Sequence, residues 1–238
     1  MNRTIFIGVR SGSTRSLNKN TKAFLPDGTS LLENRMLQAR EVSCDEIIIS
    51  TNCPICRGQA SSLQNHDNRI KVIKRPQDLC KNTTLVSDIM KHIADTASNK
   101  TIMWTHVTSP FICPIDINNA FKIFEEKNKF DSVVSVNEIQ NFIWHKSQKK
   151  VINNLNKSNK WPNTQDLFPL YEINHAFYVC SSDLLKKGER VGKNPFLYEC
   201  EGESRLDIDY EQDFAFGQLI AKNSKKTRPL NTPNVQCI

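Results

Sequence analysis

Thr4-Ile5-Phe6-Ile7-Gly8-Val9, followed at once by Arg10-Ser11-Gly12-Ser13-Thr14-Arg15-Ser16-Leu17-Asn18-Lys19-Asn20, is the stretch on which the fold turns. The first six residues form an apolar, β-branched run of the kind that fills a buried strand, and the run stops at a loop with no apolar periodicity. That loop is small, hydroxylated and cationic. Gly12 lets backbone N–H groups approach an anion, Ser11, Ser13 and Thr14 offer hydroxyl donors, and Arg10, Arg15 and Lys19 bring charge for phosphate oxygens. The competing reading is a solvated basic loop. No G-x-x-x-x-G-K-[ST] and no G-x-G-x-x-G can be read here, so kinase and dehydrogenase chemistry lose their usual warrant.

Outward from that loop the chain alternates strand and helix. Asp27-Gly28 marks a turn, Thr29 or Ser30 an N-cap, and Leu31, Leu32, Met36, Leu37 and Ala39 fall at helical spacing. Strands are expected at Glu46–Thr51, Ile70–Ile73, Thr101–His106, Asp131–Val136 and His175–Cys180. Helices are expected from Pro54, over Leu85–Ala97 and Ile115–Lys127, from Ser182, and over Tyr210–Ala221. This alternation implies an α/β fold with a mostly parallel sheet, whose ligands sit at the carboxyl ends of the strands. Between Asn141 and Tyr171 the pattern weakens into Lys and Asn, with Trp144, Trp161, Phe168 and Tyr171 scattered among them. Apolar rings in so polar a segment imply an excursion that needs a partner surface.

The 238 residues suit one domain, with hydrophobic content of 38% and charged content of 24% in the ordinary soluble range. No apolar run approaches the roughly 20 residues of a membrane span, and the first residues lack a secretory plan, so a cytoplasmic protein without membrane contact is expected. The net charge of +7 invites nucleic acid, but Lys and Arg are spread along the chain and not gathered on one element, so no nucleic-acid partner is expected. Eight cysteines form no framework. Cys53 and Cys56 make one C-x-x-C without the second pair a structural zinc site needs, which favours free thiols.

Three further segments carry chemistry. After the third strand come Arg75-Pro76-Gln77-Asp78-Leu79 and Asn82-Thr83-Thr84, where Thr83 or Thr84 could cap the next helix. After the fourth comes His106-Val107-Thr108-Ser109-Pro110. Near the end, Leu206-Asp207-Ile208-Asp209-Tyr210-Glu211-Gln212-Asp213 sets two carboxylates two residues apart, on one side of an extended backbone. They read either as a Mg²⁺ pair, which needs one or two carboxylates beside substrate phosphate, or as the acidic start of a helix.

In order and spacing these segments resemble the acylneuraminate (sialic acid) cytidylyltransferases. Their first loop runs R-x-G-S-K-x-x-x-x-K-N, matched by Arg10, Gly12, Ser13, Lys19 and Asn20. Thr14 replaces the lysine, and Ser13-Thr14-Arg15 is similar to the S-T-R of the deoxy-octulosonate cytidylyltransferases. The family's R-P-x-x-L, T-S-P, D-S-V-V-S-V, N-G-A-I-Y and D-I-D-T-x-x-D segments have counterparts at Arg75, Thr108, Asp131, Asn174 and Asp207, with Asn82, His106 and His175 as departures.

The resemblance implies a Rossmann-like nucleotidyltransferase fold over 1–238, with 141–171 as a dimerisation excursion. It implies transfer of CMP from CTP to an acidic keto sugar, releasing pyrophosphate, in a homodimer. The sugar would be a nonulosonic acid or a 3-deoxy-octulosonate; a nucleotide-binding relative without turnover is the remaining alternative. By the same resemblance Arg10, Arg15, Lys19 and Asp209 would be catalytic. Arg10, Ser11, Gly12, Ser13, Asn20, Arg75, Thr84 and Val86 would bind nucleotide. His106, Thr108, Ser109, Asn174 and Tyr178 would bind the sugar, and Asp207 with Asp209 would hold Mg²⁺.

Overall fold

The structure, a computed structural model, describes residues 2–12, 18–126, 129–155 and 158–223. Ser13, Thr14 and Arg15 of the first loop lie outside the described residues. Seven strands form one sheet: β1 Arg3–Val9, β2 Glu46–Thr51, β3 Ile70–Lys74, β4 Thr101–Thr105, β5 Ser132–Ile139, β8 Leu170–Ser181 and β9 Pro195–Glu199. A separate two-stranded ribbon pairs β6 Trp144–His145 with β7 Lys150–Val151. The helices are α1 Leu31–Arg40, α2 Pro54–Gln64, α3 Val86–Thr96, α4 Pro114–Glu125, α5 Ser182–Lys186 and α6 Glu211–Asn223.

The order across the sheet is β3-β2-β1-β4-β8-β5-β9, and every pairing is parallel except the two made by β8. The chain winds from β1 outward to β3, then crosses to the other side of β1 for β4. Loops after β1 and β4 therefore leave in opposite directions and open a crevice between them, at the switch point where α/β sheets bind ligands. β1 and β2 are buried on both faces, which is why they read as unbroken apolar runs. One face packs Leu31, Leu32 and Met36 of α1, Ile117 and Phe121 of α4 and Phe214 of α6; the other packs Met90 and Ile93 of α3 and Leu185 of α5.

Local chemistry sets the ends of these elements. Ser30 and Glu33 form a reciprocal cap on α1. At the opposite edge from the crevice, the buried Glu46 carboxylate accepts from Thr4 Oγ1 (2.7 Å), Lys71 Nζ (2.5 Å), Ser98 Oγ (2.8 Å) and Ser98 N (2.9 Å), tying three strands to the turn before β4.

Several expectations need correction. β9 was not foreseen: it is a short edge strand that begins at a proline, where a missing N–H is tolerated. β8 begins at Leu170, so Leu170 and Tyr171 belong to the sheet and not to the excursion. Ile139 pairs with Leu170, and residues 140–169 thus leave and rejoin the sheet at one rung. α3 starts from Leu85 with no side-chain cap, and the Thr84 hydroxyl donates to the Asp78 carbonyl (2.8 Å) instead.

Candidate active site

At the carboxyl end of β1, Arg10 Nη1 donates to the Cys80 carbonyl (3.0 Å), fastening the first loop to the short turn at Gln77–Cys80. Ser11 N donates to Asn52 Oδ1 (2.9 Å) and Gly12 takes φ +83°, a backbone that favours glycine. Arg75 is buried, its Nε 3.4 Å from Ser50 Oγ. Its guanidinium lies so close over Gly8 that a Cβ there would collide with Nη2. Burial lowers the Arg75 pKa, with the Arg10 charge adding to that push, yet a guanidinium stays protonated. Thr84 and the half-exposed Val86 at the start of α3 flank this end. Arg10 and Ser11 thus tie the loops after β1, β2 and β3 together.

The second group gathers after β4 and around Asp207-Ile208-Asp209. Lys19 is buried, and its ammonium donates to the Ile208 carbonyl (2.5 Å), with Asp209 Oδ1 at 3.7 Å. The structure thus places Lys19 with the acidic segment. The neighbouring Asn20 has an enclosed Oδ1 without a hydrogen-bond partner among the described residues. Ile208 N donates to the Thr108 carbonyl (2.8 Å), which ties the segment after β4 to the acidic segment. Burial raises the Asp207 pKa and the Asp209 charge adds to it, against Thr108, His175 and Lys19. Asp207 Oδ1 is enclosed and has no partner among the described residues.

The helix-start alternative for this pair is answered by Asp213, whose Oδ2 accepts from Asp209 N (3.0 Å) and Tyr210 N (2.7 Å). Asp207 and Asp209 are not needed for that duty. An enclosed carboxylate oxygen lacking a donor, beside a second carboxylate, is a donor set that fits Mg²⁺. Among the described residues no cluster of three or more His, Cys, Asp or Glu forms a closed metal cage. Mg²⁺ does not need one, because it keeps waters and takes substrate phosphate oxygens.

Beside the acidic segment, β8 departs from regular pairing. Ser135 of β5 stands alone opposite four residues, Asn174 to Phe177. Ser135 Oγ accepts from Phe177 N (3.0 Å) and donates to Phe177 O (3.1 Å), replacing the lost rungs. Asn174 holds the bulge, accepting from Ala176 N (3.1 Å) and donating to Asn137 Oδ1 (3.0 Å). His175 takes φ +61°, the left-handed backbone that explains why glycine would suit this position. A cleft of about 440 Å³ opens here, bounded by Glu172, Asn174, His175, Arg205, Asp207 and Asp209.

Beside His175 lies a group of packed rings. His106 stacks on Trp104 with centroids 5.0 Å apart, and its enclosed Nε2 has no partner among the described residues. Burial, with His175 and nearby guanidinium groups, pushes the His106 pKa down to about 3, so the ring stays neutral. The Tyr178 hydroxyl lies 2.7 Å from His175 Nδ1, and burial pushes its pKa up to about 12. Ser109, also buried, turns its carbonyl to Arg35 Nη2 and away from the cleft.

The chain matches the family model for cytidylyltransferase over residues 4–221. It belongs to the cytidylyltransferase family. Among curated proteins none matches it in sequence. Among solved structures the fold is similar to a CMP:2-keto-3-deoxy-manno-octonic acid synthetase complexed with CTP, at TM-score 0.66 and 12% identity over 94% of this chain and 100% of that one. It is also similar to 4-diphosphocytidyl-2C-methyl-D-erythritol synthase from Anaerococcus prevotii, at TM-score 0.61 and 13% identity over 92% and 96%. The structure also brings residues to this region that were not expected from the sequence. Asn52 follows β2, and extending the strand-end rule to that loop would have marked it. Asn137 and Glu172 sit on β5 and β8, whose boundaries the bulge obscured, and Arg205 ends a short turn after β9.

Proposed function

We propose that this cytidylyltransferase transfers CMP from CTP to the anomeric hydroxyl of an acidic keto sugar. The hydroxyl oxygen bonds to the α-phosphorus as the bond to the bridging oxygen breaks, pyrophosphate leaves, and the hydroxyl proton passes to water in the open cleft. The observation that carries this reading is the enclosed Asp207 oxygen at the cleft, which has no donor among the described residues. Such a carboxylate is suited to a cation that phosphate also binds. Mg²⁺ held by Asp207 and Asp209 would screen the developing charge on the phosphates.

The rest is positioning by this chain. Arg10, Ser11 and Gly12, with Ser13 and Arg15 beyond the described residues, would hold the triphosphate, and Arg75, Thr84, Val86 and Asn20 would flank the nucleoside. Lys19 fixes the acidic segment against the first loop. His106, Thr108, Asn174 and Tyr178 would form or support the sugar wall. Catalysis of this kind needs alignment and electrostatic stabilisation more than a covalent intermediate. Two sugar classes fit: the ordered motifs favour a nonulosonic acid, and the Ser13-Thr14-Arg15 variant favours a 3-deoxy-octulosonate.

The excursion supports a homodimer. Trp144, Leu155, Trp161 and Phe168 are exposed, and Ile143, Trp144 and Ile152 line a shallow apolar groove on the small ribbon. A second copy of this chain would cover them. The protein would work in the cytoplasm, with CTP at hand; among the described residues no helix is long and apolar enough to cross a membrane.

Pyrophosphate release with CTP, UTP, ATP or GTP, against N-acetylneuraminate and 3-deoxy-octulosonate, tests the proposal. Turnover confined to CTP and one acid sugar is the expected result. Equal turnover with purine nucleotides, or nucleotide binding without release for any acid sugar, would overturn it.

A further inference from the structure

Against the Trp104 and Tyr178 rings lies a cation without a counter-ion among the described residues. Arg190, in the connection from α5 to β9, sets its guanidinium carbon 4.1 Å from the Tyr178 ring centroid and 5.2 Å from that of Trp104. It is partly buried, and burial lowers its pKa, countered weakly by Tyr178 and Cys180. Neither of those groups is charged near neutral pH. Among the described residues no carboxylate pairs with it, and the sequence has no Asp or Glu outside the described residues. A desolvated guanidinium stacked on two rings, with no anion, is incomplete in the resting protein.

Its position is fixed. Asp131, the carboxylate that anchors this connection, accepts from Lys193 N (2.7 Å) and Asn194 N (2.9 Å), while Gly192 N donates to Ser132 Oγ (2.8 Å). At the other end Gly188, with φ +78°, packs against Ser87 in the first turn of α3. Arg190 is thus held between the nucleotide-side helix and the β8 bulge. Its charge helps keep His106 and His175 unprotonated, whereas Asp207 and Asp209 act on His175 in the opposite sense. Cation and acidic pair therefore act on the same imidazole with opposite sign.

We propose that Arg190 is the receptor for the acceptor's carboxylate. This rests on the acidic-sugar reading above and names the residue that would enforce it. The guanidinium fork meets a carboxylate with two parallel hydrogen bonds. Aromatic packing orients the fork before substrate arrives. Asp207 and Asp209 in the cleft would repel a carboxylate, so the acceptor would enter in one orientation, acid group toward Arg190 and anomeric hydroxyl toward Asp207.

The test measures binding and turnover separately. N-acetylneuraminate, 3-deoxy-octulosonate, their carboxamides and pyruvate are titrated calorimetrically into the full chain with CTP and excess chelator, so that chemistry is off. Pyrophosphate release with Mg²⁺ is followed in parallel. Wild type should bind at least one acid, and its carboxamide about 10–100-fold more weakly, the range expected for losing hydrogen bonds to a charged group. R190Q should bind acid and amide alike, with acceptor KM raised by the same factor and CTP affinity within twofold of wild type, which also reports folding. R190K should recover part of the preference.

If no acid binds, or R190Q keeps the acid preference, the assignment is wrong. If R190Q loses CTP affinity while acid binding stands, the guanidinium serves nucleotide phosphate instead. Arg190-dependent acid binding without turnover would leave the carboxylate receptor standing and overturn the CMP-transfer reading. Turnover whose acid preference ignores Arg190 would do the reverse.

Discussion

Replacing Gly8 by alanine tests the nucleotide end of the site through a residue that touches no substrate. A methyl group there would overlap Arg75 Nη2 and come within 3.3 Å of the Phe6 ring. Restoring an ordinary contact of about 3.5–4.0 Å requires the guanidinium to move by about 1 Å or more. Little holds it back, since its side-chain bond to Ser50 is 3.4 Å long and the colliding atom is the end of a flexible chain. Relief of glycine's entropy in a strand, roughly 0.5–1 kcal/mol, offsets the tight Phe6 contact. Stability of Gly8→Ala should therefore stay within about 1 kcal/mol of wild type by urea unfolding. CTP kcat/KM should nevertheless fall by up to about 10²-fold, the scale of a 1 Å misplacement. A double-mutant cycle with Arg75→Ala decides the route: the two losses should overlap and not add. Folded Gly8→Ala with wild-type CTP affinity and turnover would refute the placement of Arg75 at the nucleotide.

The other predictions follow from the acidic groups and the Lys19 clamp. Asp209→Ala should cut turnover by orders of magnitude with an unchanged circular dichroism spectrum, and Mg²⁺ titration should show a weakened requirement curve; near-normal rates would remove the pair from metal binding. Lys19→Met should lose about 1.5–3 kcal/mol of stability, the worth of a hydrogen bond from a charged donor, together with most activity. Burial raises the Glu46 pKa, but Lys71, Ser98 and Thr4 outweigh it and leave the carboxyl below its ordinary range. The stability it contributes is fully present above about pH 4.3 and fades as pH falls through the depressed value. Unfolding free energy measured between pH 7 and acid should drop less steeply in Glu46→Gln than in wild type.

Legibility varied with how far side-chain patterns recorded their surroundings. Strands β1, β2 and β4 were plain because burial on both faces demands apolar residues throughout, and α3 was plain because one face must match the core. The first half of β8 was not, since a four-residue bulge breaks the period of two and fills it with Asn174 and His175. β9 lay at an edge, where pairing is made by backbone and side chains are less constrained. At the site, Asp207 and Thr108 were legible from motif spacing, but their meeting through Ile208 was not. Arg190 left no trace in the sequence: a single arginine in a connection acquires its meaning only from the two rings folded beneath it.

The reversed strand β8 also governs how this chain can be made. β4 borders β1 on one side and β8 on the other, and β5 cannot take that second place because β8 lies between them. From the end of β4 at Thr105 to the end of β8 at Ser181, the nascent chain must grow before the central seam can close. At about 5–20 residues per second, that leaves an open β4 edge for roughly 4–15 seconds. During that interval its N–H and C=O groups and the apolar Met103 and Trp104 are a template for neighbouring nascent chains. Dependence on chaperones should therefore peak while residues 106–181 are being synthesised, and chains cut short within them should aggregate.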